Sequence, residues 1–386
     1  MRSAIAALPV SLIALAFVAC GDGSSERPTI ATRTSLPPAT DSASHTPASS
    51  PAPTVTRPNT EPATEIELPA GFTAYAVAEG LPSPTSITRS PQGDLFVSQR
   101  DGTILRLVDS DGDGGFEGQP EFASGFVETT GIAFSPDGEL YVSSTGRVSI
   151  VRDTNGDSVG DQTDDIITSL PNGRHQNNGL AFGPDGKLYI TNGSTCNDCE
   201  EGDERSATIL QANANGSDLH VYARGLRNPY DIVFDPQGRL WSTDNGSDPP
   251  CNTTDEINLI QDANDYGWPY DPECDNLHDG IPPVANLGLN TASTGIDYYD
   301  GAQFPSEFQG NLFATLWGSL GFTPEDNGHV LVRAIIDDSG ERPTATVEEF
   351  GTGFTNPIDV LVDDDGTLLV LDFGNGTLYR IIYTGT

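Results

Sequence analysis

The chain has 386 residues, with 56 Asp and Glu against 18 Lys and Arg, a formal net charge of -38 and Lys187 as its one lysine. Nucleic acid and anionic membrane surfaces carry the same sign and would repel it, so both are excluded as electrostatic partners. Calcium, neutral or cationic ligands, or simply a salt-adapted surface remain.

In chain order, residues 1–20 read as a lipoprotein signal peptide. Arg2 gives a charged start, the apolar run Ala4 to Val18 is short for a membrane span, and Ala19 precedes the cut. Phe17-Val18-Ala19-Cys20 resembles a bacterial lipobox. Cys20 would then carry the lipid, holding an exported protein to the extracytoplasmic side of the cell envelope, with membrane contact through the anchor alone. An ordinary secretory peptide is the alternative. Residues 21–64 are rich in Ser, Thr and Pro and nearly free of large apolar side chains. Such a stretch buries too little surface to order itself and reads as a disordered tether.

Residues 65–386 repeat themselves. The clearest copy lies in Gly173 to Ser194, GRHQNNGLAFGPDGKLYITNGS. Four others share its pattern: ITRSPQGDLFVSQ from Ile87, IAFSPDGELYVSS from Ile132, IVFDPQGRLWSTD from Ile232 and VLVDDDGTLLVLD from Val360. A looser sixth starts at Gly295. A pitch of about 40 to 50 residues marks an array of units that cannot bury their faces alone. Each unit reads as strand A, a Pro-Asp-Gly-like turn, strand B, strand C and an outer strand D, with period-2 alternation and no long helical period. Six four-stranded units make an all-β, six-bladed β-propeller. The last unit stops at strand C, Thr377 to Ile382, while FTAYAVA at Phe72 to Ala78 is unclaimed. This N-terminal strand is expected to complete the last blade and close the ring, removing an exposed edge.

Cys196 and Cys199 sit in one polar insertion, and Cys251 and Cys274 flank another. Zinc fits the spacing, but export favours disulfides. Of three possible pairings, Cys196 with Cys199 and Cys251 with Cys274 each close a local loop.

Strand alternation puts the segment entering strand A and the turn leaving strand B on one face. Counting five residues back from Leu180 and from Ile232 gives His175 and Arg227, which thus hold the same register at one mouth. The long insertions fall on this face too, making it the candidate ligand face. A structural hydrogen bond is the bland reading of His175, and a loop-fixing cluster that of Arg227 with Asn228. On the opposite face two turns are acidic: Asp109, Asp111 and Asp113 with Glu117, and Asp153, Asn155 and Asp157 with Asp161. Oxygen ligands at alternate positions around glycine turns suit calcium, the second turn better than the first; solvated acidic hairpins are the alternative.

The segments GRHQNNGLAFGPDGKLYITNG, RGLRNPYDIVFDPQGRLWSTDNG, DEINLI and NDYGWPY, in that order, resemble the glucose/sorbosone dehydrogenase family of quinoproteins. These are six-bladed propellers that oxidise sugars with pyrroloquinoline quinone (PQQ) and calcium, and the resemblance spans Leu68 to Ile382. It implies that the substrate is an aldose or sugar aldehyde, and that His175 is the general base that takes the hydroxyl proton as hydride leaves for the quinone. Arg227 and Asn228 match the pair that contacts the quinone. Gly246 and Ser247 stand where the family offers carbonyls to the cofactor's calcium, and Asp255, Glu256 and Tyr266 match a region of further calcium, the acidic pair having a hydrogen-bonded brace as its alternative. The physiological electron acceptor is left open.

Departures accompany the matches. Asn177-Asn178-Gly179 follows the His-Gln pair, as in the sorbosone-type branch. Trp317, Asn356 and Ile358 stand where the glucose branch has a lysine and two arginines, leaving Arg227, Arg174, Arg100 and calcium to meet a tricarboxylate. No G-x-G-x-x-G opens a helix after a strand, so a nicotinamide site is not expected. Two other classes stay open. A calcium-dependent lactone or ester hydrolase would need several inward carboxylates around a central ion, whereas the inner strands read as mostly apolar residues and Asn. A non-catalytic envelope binding propeller would have kept the scaffold and shed the cofactor.

Overall fold

A computed structural model describes residues 57–249, 251–269, 280–319 and 327–385. The signal peptide, the lipidation at Cys20, the tether up to residue 56 and the pairing of Cys274 lie outside the described residues.

Strand β1 (Phe72–Ala78) precedes the first blade, β2 to β5 (Pro84–Arg89, Leu95–Gln99, Ile104–Leu107, Glu121–Ala123). The second is β6 to β9 (Gly131–Phe134, Leu140–Ser144, Arg147–Arg152, Gln162–Thr168), and the third β10 to β13 (Asn177–Phe182, Leu188–Asn192, Thr208–Ala212, His220–Arg224). The fourth is β14 to β17 (Pro229–Phe234, Leu240–Asp244, Thr254–Ile260, Ala285–Leu289), and the fifth β18 to β21 (Ser293–Tyr299, Asn311–Leu316, Val330–Asp337, Thr344–Gly351). The sixth sheet has the order β1-β24-β23-β22, built from Pro357–Val362, Leu368–Asp372 and Thr377–Tyr383 with β1 outermost. Six four-stranded antiparallel sheets thus form a six-bladed β-propeller, closed as its alternation pattern requires.

The repeat owes its shape to local chemistry. Strands β3, β7, β11, β15, β19 and β23 are buried along their whole length. Blades cover both faces of these second strands, which accounts for their near-continuous apolar and small-residue sequences. The turn before each is tight: at Gly186 the backbone turns to φ +72°, and its N–H donates to Gly183 O at 2.9 Å. A side chain there would be strained, which fixes the glycine of Pro-Asp-Gly.

Ring closure is packed as well as hydrogen-bonded. β1 pairs with β24 from Phe72↔Tyr383 to Ala78↔Leu378. The Phe72 ring meets Phe304, Phe308 and Phe350 edge-on, with centroids 4.7, 5.1 and 5.0 Å away. Residues 57–65 also lie against the closing strand: Pro62 bridges Tyr75, Ala63 N donates to Ala74 O at 2.9 Å, and the Arg57 guanidinium sits 5.4 Å from the Tyr75 ring centroid.

The inner strands hold more acid than their sequence reading allows. Asp231 of β14 accepts Ile296 N of β18 at 3.1 Å, Asp297 of β18 accepts Val362 N of β22 at 2.6 Å, and Asp359 of β22 accepts Ile87 N of β2 at 2.8 Å. Each carboxylate latches one blade to the next, satisfying amides that the ladder leaves over. Among the described residues the three do not bring carboxylate oxygens within 4.8 Å of one another as a group.

Burial is the first cause of the raised pKa values of these three carboxyls. It pushes Asp231 up to about 6 and Asp297 up to about 7, with the Asp231 charge adding to the latter, and it holds Asp359 well above the usual carboxylate range. At these three carboxyls the folded protein binds more protons than the unfolded chain between pH 4 and about pH 7, so their contribution to stability falls as pH rises through that window, outweighing the opposite contribution of a buried neutral His175. The melting temperature at pH 5 should exceed that at pH 8, as read by calorimetry. A higher melting temperature at pH 8 would contradict these shifts.

Candidate active site

Three chain segments meet at one mouth of the ring. His175 N donates to Ser194 O at 3.0 Å, Gly193 N to Gln176 O at 2.9 Å and Ser194 N to Arg227 O at 2.7 Å. The segments entering β10 and β14 are thereby knitted to the segment leaving β11. Gly193 makes the approach possible, since a Cβ there would lie 2.5 Å from His175 Cβ and 2.6 Å from Asn228 Oδ1.

These segments border a cavity of about 420 Å³. Its lining combines polar His175, Arg174 and Arg100 with Tyr230, Trp317, Ile358 and Phe373. A second cavity of about 300 Å³, bordered by Arg227, Asp248 and Asp255, shares His175, Arg174, Asn228 and Asn245 with the first.

Ser194 Oγ links His175 to a backbone carbonyl. Ser194 Oγ donates its single hydrogen to Cys196 O at 2.7 Å. With the hydroxyl hydrogen on that carbonyl, His175 Nδ1, 2.9 Å from the same Oγ, is the donor of the pair and Nε2 keeps its lone pair; a hydroxyl turned to Nδ1 gives the opposite tautomer. Burial first, then the charges of Arg227 and Arg174, push the imidazole down to about 3. It is neutral throughout the physiological range.

Arg227 has a side chain only 3% exposed, and its fork makes four hydrogen bonds within the protein. Nε donates to Asn197 O at 3.0 Å, Nη2 to Asn197 Oδ1 at 2.7 Å and to Asp248 Oδ2 at 2.9 Å, and Nη1 to Asn245 O at 3.3 Å. Asp248 Oδ2 also pairs with Arg174. Beneath, both oxygens of Asp244 accept amides, Arg227 N at 3.1 Å and Asn228 N at 2.7 Å. Asn228 continues a chain of side-chain amides: its Oδ1 accepts Asn178 Nδ2 and its Nδ2 donates to Asn245 Oδ1, both at 3.0 Å. Of the two readings of Arg227-Asn228, the loop-fixing cluster describes these contacts.

The residues expected near calcium do not come together as one donor set. Asp255 Oδ1 accepts Gly246 N at 2.9 Å, and Oδ2 accepts Thr291 Oγ1 at 2.7 Å and Ser293 N at 3.1 Å, making it a brace. Glu256, next along β16, points to the opposite side of the sheet, beside a separate cavity with Tyr266. The Tyr266 hydroxyl closes its own turn, donating to Leu259 O at 2.7 Å and accepting Gln261 N at 3.0 Å. Ser247 N donates to Thr253 Oγ1 at 2.6 Å.

On the far face the two acidic turns differ. Asp109, Asp111, Asp113 and Glu117 bring carboxylate oxygens within 4.8 Å of one another, and Asp109 shares a cavity with Gly93 and Asp94 of the β2–β3 turn. Among the described residues the Asp153 turn forms no such group. Asn155 replaces one carboxylate there, and Asp161 is folded onto Thr154 and Asn155. Cys196 and Cys199 form a disulfide, with Cα atoms 6.2 Å apart.

Ser194, Asn197, Asn245 and Asp248 escaped the sequence reading. Ser194 lies in a repeat copy and Asn245 just after one, but neither carries a distinguishing pattern there, and Arg227 meets Asn197 from 30 positions away and Asp248 from 21. The one available signal was the placement of Asn197 between two cysteines.

Fold and site together define a six-bladed propeller with a neutral histidine at a polar and aromatic central mouth. The chain belongs to the DUF7133 family, a domain of unknown function, which matches residues 59–380. It is similar to quinoprotein glucose dehydrogenase B of Acinetobacter calcoaceticus, at 30% identity over 115 residues covering 28% of this chain and 22% of that protein. The matched segments span about half or less of the length of such curated relatives. The fold is shared with the PQQ domain of pyranose dehydrogenase from Coprinopsis cinerea, at 17% identity and a TM-score of 0.70, over 84% of this chain and 98% of that one. It is shared too with the PQQ-bound aldose sugar dehydrogenase of Streptomyces coelicolor, at 23% identity and a TM-score of 0.60, over 82% and 99%. The architecture is that of the PQQ-dependent sugar dehydrogenases.

Proposed function

We propose that the protein is an oxidoreductase that removes hydride from a sugar hydroxyl carbon or a hydrated sugar aldehyde, with PQQ as hydride acceptor and His175 Nε2 as proton acceptor. The observation that carries this reading is the imidazole itself: Nδ1 is committed to Ser194, and Nε2 holds a lone pair beside a cavity large enough for small ligands.

The cavity's donor set suits a flat, anionic, aromatic molecule. Arg100 and Arg174 offer guanidiniums at 62% and 39% side-chain exposure, and Trp317 and Phe373, lining the same cavity with centroids 6.1 Å apart, give rings a surface to lie against. Arg100 and Arg174 would meet the carboxylates of PQQ, which when bound supplies an electrophilic carbonyl carbon for hydride. Arg227 contributes differently, because its contacts are spent inside the protein. It orients Asp248, which in turn holds Arg174 at the rim.

Proton transfer depends on the same charges. In an empty pocket Arg227 and Arg174 keep His175 a weak base. An anion seated against Arg174 offsets them and raises its proton affinity, so the base gains strength as the site fills. The hydroxyl proton then goes to Nε2 while the hydride carries two electrons away from carbon.

Calcium is assigned a structural part at Asp109, Asp111, Asp113 and Glu117, away from the mouth. Purified protein titrated with PQQ in calcium should acquire the absorbance of bound quinone at about one per chain, and should then reduce an artificial electron acceptor when given an aldose or sugar aldehyde. Chelation should lower its melting temperature, since native-state binding contributes about 2.7 kcal/mol at a hundredfold excess over Kd. Absence of quinone binding by absorbance and calorimetry would sink the dehydrogenase reading and leave the binding propeller.

A further inference from the structure

We propose that the disulfide-closed turn Cys196-Asn197-Asp198-Cys199 is the positioning element of the site, setting both the tautomer of His175 and the place of Arg227. The proposal rests on the reading of His175 as the base, but its test does not need the quinone.

The turn lies in the insertion between β11 and β12, outside any strand pairing. Its first carbonyl, Cys196 O, takes the only hydrogen of Ser194 Oγ and so obliges His175 Nδ1 to donate. The next residue is spent on the other half of the site. Asn197 O accepts Arg227 Nε at 3.0 Å, while Asn197 Oδ1 accepts Arg227 Nη2 at 2.7 Å and Asp248 N at 3.1 Å. Asn197 Nδ2 completes the clamp by donating to Asp248 O at 3.2 Å. Two adjacent residues thus govern the base, the buried cation and the carboxylate that holds Arg174.

Ordering a turn of this kind costs backbone entropy that no sheet ladder offsets here. The cross-link limits that cost by restricting the turn before it docks. With the disulfide gone, the Cys196 carbonyl no longer has a fixed place, Ser194 is free to donate to His175 instead, and the lone pair can move to Nδ1. A local staple with no bearing on the site would leave the tautomer alone.

The test is long-range ¹H–¹⁵N correlation of the His175 ring in the full, unloaded chain. Wild-type protein should show one neutral tautomer with hydrogen on Nδ1. The double variant Cys196→Ser with Cys199→Ser, which leaves the other cysteines untouched, should show loss of that single form to a mixture. Ser194→Ala should do the same with the disulfide intact, and Ser194→Thr, which keeps the hydroxyl, should restore the Nδ1–H form. Asn197→Ala should leave the tautomer and speed solvent exchange of the Arg227 Nη2 hydrogens by about tenfold, through loss of the buried Oδ1 acceptor, while the backbone carbonyl that accepts Nε–H stays. A single Nδ1–H tautomer in the double variant, or in Ser194→Ala, overturns the proposal. If the double variant does not fold, the Ser194 pair and Asn197→Ala decide alone. Because every readout is on protein without PQQ, failure here and failure of quinone binding are separate results.

Discussion

His175→Ala should lose roughly 10²- to 10⁴-fold in turnover while quinone affinity stays within a few-fold of wild type. The imidazole supplies a lone pair but no positive charge, so its removal takes away the proton acceptor and spares the guanidiniums of Arg100 and Arg174 that meet an anion. Steady-state rates with an artificial acceptor, set beside calorimetric titration of the quinone, separate the two effects. A fully active variant would mean that another group takes the proton, with fold and cofactor intact. A variant that loses quinone binding altogether would instead place His175 among the cofactor's supports.

A chain starting at Gly80, lacking β1, should not give a cooperatively folded ring. The deletion bares the edge of β24 and removes Tyr75, Val77 and Ala78, which are 1%, 3% and 4% exposed, along with Phe72 from its aromatic cluster. Burying large apolar side chains contributes about 1.5 to 3 kcal/mol each. Losing Phe72, Tyr75 and Val77 together therefore rivals the 5 to 15 kcal/mol (roughly) that holds a typical domain folded. Size-exclusion chromatography and thermal melting should show aggregation without a sharp transition, and a synthetic peptide covering residues 57–79, added in trans, should restore one. A truncated chain that melts cooperatively at the wild-type temperature would show that the ring does not depend on its closing strand.

The contrast between Arg227 and His175 shows how far one sequence can be read. Both were found by the same count from the first apolar residue of strand A, and both do lie at one mouth. Register placed them because it follows from strand period and turn chemistry, which act over a few residues. What each side chain does there was not legible. The acceptors of Arg227 come from Asn197, Asn245 and Asp248, and the hydrogen of His175 Nδ1 is dictated by a serine nineteen residues on through a carbonyl two residues further.

The same division runs through the acids. Asp109 and Asp153 sit in turns of nearly the same spelling, yet only the first gathers four carboxylates. Asp231, Asp297 and Asp359 were hidden in strands, and each is used by an amide of the following blade. By itself, the sequence determined the number of blades, the closing strand, the cysteine pair at 196 and 199 and the mouth that carries His175, because each is written in short-range periodicity or in spacing along the chain. Tertiary structure alone decided which acceptors the Arg227 fork finds, that Asp255 and Glu256 part company across β16, and that Ser194 and the Cys196 carbonyl stand beside His175 Nδ1. Those outcomes depend on which donors and acceptors remain unpaired once six separately encoded blades are pressed together, and no local pattern records that.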